Sequence, residues 1–144
     1  MYPGTKDLFL VASKRSAGRS MFCGKQEFII QDIEEFDFSQ VEIAFFSAGA
    51  ETAEKYAPIA VSKGCTVIDN SSQFRTDSGK PLIVPEVNSK DLENFKLPGI
   101  IDNPNCSTAQ LVVALKPVHD LFKIERVDVA SYQSVSGTGK EGID

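Results

Sequence analysis

Cysteine, histidine and basic charge are all scarce in this chain, and each scarcity removes a class of function. Only three cysteines occur, Cys23, Cys65 and Cys106. Their wide, uneven spacing fits neither a disulfide framework nor a CxxC metal site, so a reduced, intracellular protein without a metal centre is expected. Lys and Arg number 15 against 20 Asp and Glu, for a net charge of −5. That balance argues against a nucleic-acid or anionic-membrane partner, whose phosphates call for clustered basic residues. No stretch approaches the ~20 apolar residues of a membrane span, and the N-terminal segment lacks an apolar run flanked by basic residues and a cleavage site. A cytoplasmic location follows as the expectation.

What is present suffices for one domain with a core: 144 residues, of which 42% are hydrophobic. Short apolar runs predict strands at 8–12, 28–30, 41–47, 66–68, 82–84 and 99–101, and a weaker alternation predicts one more at 127–132. Helical spacing of Ala53, Tyr56, Ala57, Ala60 and Val61 predicts a helix opening at Glu51 and stopped by Gly64, with Pro58 kinking it or ending it early. A small helix is expected over 89–95. The strongest helix is expected over 107–121, with Leu111, Val112, Leu115 and Val118 on its apolar face and Pro117 bending its end. Strands interleaved with helices indicate an α/β fold with a mainly parallel sheet, whose ligands gather at the carboxyl ends of the strands.

The polar loops fall at those ends. Cys106 follows a predicted strand and opens the best helix, where the dipole and unpaired N–H groups favour thiolate, the nucleophilic form, and could steady an oxyanion. Read by position alone, it could equally be a small buried residue. Cys23 and Cys65 lack that setting and read as structural. The one histidine, His119, lies on the same predicted helix, roughly 20 Å from Cys106 at a rise of about 1.5 Å per residue, so it cannot serve that thiol. Ser13, Arg15 and Ser16 sit where a dinucleotide fold selects its cofactor, and Arg there suits the 2′-phosphate of NADP; the other reading is a solvated basic loop. Arg75, after a strand, could fork onto a phosphate or carboxylate or simply be solvated. Gly137 to Gly142 matches G-x-G-x-x-G literally, a weak signal on its own.

Several segments taken together carry a resemblance. Asn103-Pro104-Asn105-Cys106-Ser107-Thr108 is similar to the nucleophile motif of aspartate-semialdehyde dehydrogenases. Ala12 to Gly18, Phe46-Ser47-Ala48-Gly49, Asp69 to Ser72 with Phe74-Arg75, Val84 to Asn88, and Tyr132 to Gly137 resemble further family segments in the same order. The resemblance implies a Rossmann-like NADP-binding domain in which Cys106 forms a hemithioacetal and then an acyl-thioester, with Gln133 orienting the substrate. Arg75 and Asn105 would bind inorganic phosphate, Arg15 and Ser16 would hold the 2′-phosphate, and Ser13 would contact the cofactor beside them. Ser47, Ala48, Gly49, Ser136 and Gly137 would line the cofactor site. The implied reaction interconverts aspartate semialdehyde plus phosphate with β-aspartyl phosphate, in lysine, threonine and methionine biosynthesis, in a family of homodimers.

The family also has a first strand with a glycine-rich turn, where this chain has Met1-Tyr2-Pro3-Gly4, and a second domain carrying the acid/base histidine. The resemblance therefore implies an NADP-binding domain over 1–131 that is incomplete at its N-terminus, with a central strand missing from the sheet. Residues 132–144 would begin the connection to a dimerisation and catalytic domain. An inactive fragment is the corresponding expectation. Two alternatives stand beside it: the related N-acetyl-glutamyl-phosphate reductase, and an inactive module pairing with a full-length relative.

Overall fold

The computed structural model describes residues 7–138; Met1 to Gly4 and the Gly139 to Gly142 part of the glycine-rich match lie outside them. Within that range the fold is α/β, but its strands form two three-stranded sheets rather than one. In the first, β1 (Leu10–Ala12) pairs in parallel with β3 (Gln26–Asp32), and β2 (Ser20–Cys23) adds to β3 antiparallel. In the second, β4 (Ile43–Phe46), β5 (Thr66–Asp69) and β6 (Ile100–Asp102) are parallel in that order. The single, mainly parallel sheet that was expected is replaced by one mixed and one all-parallel set of hydrogen-bonded strands.

An aromatic relay links them. Phe9, just before β1, meets Phe36 edge-on at 5.8 Å; Phe36 meets Phe38 at 5.1 Å, and Phe38 stacks on Phe46 of β4 at 6.2 Å. Such contacts add to the area these rings bury, and Phe38 and Phe46 are both in the core.

The main core lies between the second sheet and α1 (Ala50–Ser62). Ala53, Ala57 and Ala60 come at helical spacing and are almost completely buried, which lets the helix lie close against Val67 and Ile100 on the sheet. Pro58 neither ends nor shortens α1. It stands on the exposed side, where the carbonyl left unpaired four residues earlier belongs to the exposed Glu54 and can meet water. Gly64, at φ 91°, closes the helix as expected, with the Cys65 amide returning to the Ala60 carbonyl at 3.0 Å.

Other expectations need correcting. Leu82 makes a single parallel bridge to Asp102 rather than a strand. The small helix is earlier than expected, α2 (Pro85–Asn88), and is followed by a 3-10 turn at Ser89–Leu92. The segment 127–132 is not a strand: its alternation finds no neighbouring strand among the described residues, and a strand needs one to satisfy its ladder. The long helix α3 (Cys106–Phe122) runs through Pro117 and packs on α2, but none of its residues is buried. Val118, expected on its inner face, is 45% exposed.

Candidate functional site

Four strand ends supply all of the predicted site residues except Gln133, Ser136 and Gly137. After β1 the chain turns through Ser13 and Ser16, whose backbone groups close a 2.8 Å hydrogen bond from the Ser16 amide to the Ser13 carbonyl. The Arg15 side chain is left exposed on that turn. After β4, Ser47 and Ala48 lead to Gly49, which precedes α1 at φ 87°, ψ 167°. A side chain added at Gly49 would meet nothing within 4 Å, so the glycine is required by backbone conformation and not by space. No side chain caps α1, so its first amides are free to face an anion.

These two loops open on one cavity of about 530 Å³. It is lined by Ser13, Lys14 and Arg15 from one side and by Ala48, Thr52 and Tyr56 from the other. A cleft between a basic turn and an uncapped helix N-terminus offers an anion both positive charge and free amides. Glu34, also on its wall, is paired with Lys55 at 3.8 Å.

The ends of β5 and β6 build the thiol's surroundings. Cys106 is the first residue of α3 and is exposed; Asn105 is the N-cap. The Asn105 side-chain oxygen accepts from the Ser107 amide at 3.0 Å and from the Ser107 hydroxyl at 2.5 Å. That capping fixes the turn on which the thiol sits and turns the Asn105 amide nitrogen away as a spare donor. Arg75 donates through Nε to the Asn103 carbonyl at 3.0 Å and through Nη2 to the Asn70 carbonyl at 3.1 Å. Asn103 in turn donates to the Asn70 side chain at 2.8 Å. Arg75 thus spans the residues that follow β5 and β6, and its remaining N–H groups are available to an oxyanion.

Beneath this layer lies a pair of acids the sequence reading passed over. Asp69 and Asp102 are register partners on β5 and β6, 0% and 1% exposed. Alternation along each strand puts them on the same face as the core residues Val67 and Ile100. Asp69 accepts from the Ser71 amide at 2.9 Å and the Ser71 hydroxyl at 2.6 Å. Neither carboxyl oxygen of Asp102 has a hydrogen-bond partner among the described residues. Burial, reinforced by the Asp69 carboxylate beside it and by Asp77, pushes Asp102 up to about 6, against the opposing pull of Arg75 and Lys80. The signal available in the sequence was an Asp ending each of two apolar runs, at 66–69 and 100–102.

The remaining predicted residues lie apart from this cluster. Gln133 is exposed and its side chain lies over Gly137, within 2.7 Å of where a Cβ would stand. Ser136 and Gly137 belong to a 3-10 turn, Val135–Thr138. No hydrogen bond joins Gln133 to the Cys106 loop among the described residues. His119 is in the last turn of α3 and exposed, far along the helix from Cys106 as expected. Cys65 is buried, and burial raises its thiol, in keeping with a structural role. Cys23, expected to be structural, is instead exposed on the β2–β3 hairpin.

Comparison with known proteins bears on the same segments. Residues 2–95 match the family model described as semialdehyde dehydrogenase, NAD binding domain, and residues 115–144 match the semialdehyde dehydrogenase dimerisation domain. An aspartate-semialdehyde dehydrogenase of Shewanella violacea is 57% identical over 137 residues, covering 94% of this chain and 40% of that protein. Aspartate-semialdehyde dehydrogenase 2 of Vibrio cholerae is 54% identical, over 96% of this chain and 41% of its own length. The chain therefore spans about 40% of the length of the relatives it matches. A crystal structure of the Vibrio cholerae aspartate semialdehyde dehydrogenase II complexed with ASA superposes with a TM-score of 0.89, over 96% of this chain and 41% of that one. The Candida albicans aspartate semialdehyde dehydrogenase with NADP, 28% identical, superposes at 0.70 over 85% of this chain and 42% of its own. Matched over residues 2–95 by the family model, and carrying a cysteine at the head of α3, the chain belongs to the semialdehyde dehydrogenase family.

Proposed function

We propose that this chain carries the nucleophile, the cofactor cleft and the phosphate-binding arginine of an aspartate-semialdehyde dehydrogenase that uses NADP. The observation that carries the reading is the placement of Cys106 on the capped N-terminus of α3, next to a loop that Arg75 pins at both strand ends. In this reading the Cys106 sulfur adds to the aldehyde carbon of aspartate semialdehyde, and the new oxyanion is met by amides at the start of α3. When bound, NADP supplies the hydride acceptor that turns the hemithioacetal into a thioester. Arg75, with the spare amide of Asn105, then holds inorganic phosphate for attack on the thioester carbonyl. The carbon–sulfur bond breaks, the thiolate leaves, and β-aspartyl phosphate is released. Biosynthesis runs the sequence in reverse.

Arg15 and Ser16 would hold the 2′-phosphate, Ser13 and the 47–49 turn would hold the rest of the dinucleotide, and Gln133 with Ser136 and Gly137 would close over the substrate and nicotinamide. The proton that the chemistry moves needs a carrier other than His119, the sole histidine of the sequence. Leu121 and Phe122, 76% and 78% exposed, fall in the stretch matching the dimerisation domain and support pairing with a second copy. No helix among the described residues is long and apolar enough to cross a membrane, and we place the protein in the cytoplasm.

The test is phosphate-dependent NADP reduction with aspartate semialdehyde by a full-length protein carrying this chain, run beside Cys106→Ser. Turnover that requires phosphate and vanishes in the variant supports the reading; turnover that survives the variant refutes it. Cofactor choice is tested separately by fluorescence titration. NADPH should bind more tightly than NADH and lose that advantage in Arg15→Ser, whereas equal affinities would refute the 2′-phosphate assignment.

A further inference from the structure

We propose that Asp102 couples the oxyanion site at Arg75 to a proton, so that an anion binds Arg75 together with proton uptake by the buried carboxyl beneath it. The proposal rests on the reading of Arg75 as the oxyanion-binding group. Its basis is geometric. Asp69 and Asp102 stand side by side at the ends of adjacent parallel strands, a spacing of about 4.8 Å between backbones. Arg75 donates to the carbonyl of Asn70, the residue after Asp69, and to that of Asn103, the residue after Asp102. One guanidinium therefore lies across the ends of both acid-bearing strands.

The two acids are not equivalent. Asp69 has both oxygens hydrogen-bonded by Ser71, an arrangement suited to a carboxylate, while Asp102 is equally buried and accepts no hydrogen bond among the described residues. The proton thus belongs on Asp102. The charged groups acting on Asp102 are Asp69 and Asp77, which favour its neutral form, and Arg75 and Lys80, which favour its ionised form. Lys80 is already engaged, paired with Asp77 and lying over the Phe74 ring. Arg75 is the cation of the set that lies across both strand ends, and it keeps the larger number of free N–H donors.

An oxyanion on those donors offsets the positive field that allows Asp102 to ionise, so the bound anion must favour its neutral form. By reciprocity, ionising Asp102 must weaken the anion by the same factor. None of this requires a conformational change. The direction follows from charge alone: anion affinity falls as pH rises through the ionisation of Asp102.

Inorganic sulfate is the probe, because it stays a dianion where phosphate would itself titrate. Calorimetric titration of the wild-type chain from pH 5 to pH 8 should show affinity falling by roughly tenfold for each pH unit by which the anion displaces the Asp102 ionisation. In Asp102→Asn the fall should shrink to the drift expected from overall charge. An equal fall in the variant overturns the coupling while leaving the anion site intact. Arg75→Gln should lose sulfate at every pH; unchanged binding there overturns the anion-site reading and the coupling with it. A carboxyl ¹³C titration of the wild-type chain covers the case of a poorly folding variant: sulfate must move the Asp102 midpoint upward, and an unmoved midpoint overturns the proposal.

Discussion

Asp102→Asn should flatten part of the dependence of stability on pH. Asp102 is raised from 3.8 to about 6 in the folded chain. The folded state therefore holds the proton more tightly than the unfolded state, and stability falls as pH rises between those two values. Above about pH 6 the full penalty is present, and below about pH 4 it is absent. The difference of about 2 pH units corresponds to about 3 kcal/mol at ~1.36 kcal/mol each, an upper figure since a buried acid relaxes and admits water. For a chain of this size that is roughly 10 °C in Tm. Asn has the same shape and no charge; its own unmet amide donors cost about 1–3 kcal/mol, but equally at all pH values. The assay is thermal unfolding of both proteins by circular dichroism from pH 4 to pH 8. The Tm of Asp102→Asn should gain on wild type as pH rises to about 6 and then stay level. A pH-independent difference would refute the claim that Asp102 is a buried, unpaired acid.

Other outcomes follow from the same contacts. Asn105→Ala removes the cap of α3 and should cost about 1 kcal/mol by urea unfolding; no loss would mean the cap hydrogen bonds to Ser107 are not formed in solution. Phe38→Ala breaks the aromatic relay between the two sheets at a buried ring and should cost about 3–5 kcal/mol. A cost near zero would show that the halves are not joined there. Thiol titration of the native chain should count Cys23 and Cys106 as accessible, with Cys65 reacting only on unfolding; a third fast thiol would contradict the core around α1.

Much of this was legible because it is local. Thr66-Val67-Ile68 reads as a strand from its apolar run, Gly64 as a stop from its position, and Cys106 as a helix start from the strand before it and the helical spacing after it. The hairpin strand Ser20–Cys23 was not, since all four residues are exposed and carry no alternation to read. The segment 127–132 shows the converse: alternation is present, but strand structure also needs a neighbour, which no local pattern supplies. The loops carrying Ser13, Arg15, Ala48, Arg75 and Cys106 were found because polar residues follow apolar runs. Asp102 was missed for that same reason. It reads as the first residue of a polar loop, and only the register of β6 against β5 places it inside.

Alkylation of Cys106 in the presence of aspartate semialdehyde tests the central claim most directly, because it reads the nucleophile without requiring turnover. Iodoacetamide labelling at each cysteine is followed by mass spectrometry, with Cys23 as the internal reference. The account predicts that aspartate semialdehyde slows labelling of Cys106 and leaves Cys23 unchanged, with Arg75→Gln abolishing any added protection by phosphate. Equal labelling of Cys106 with and without the semialdehyde would contradict it.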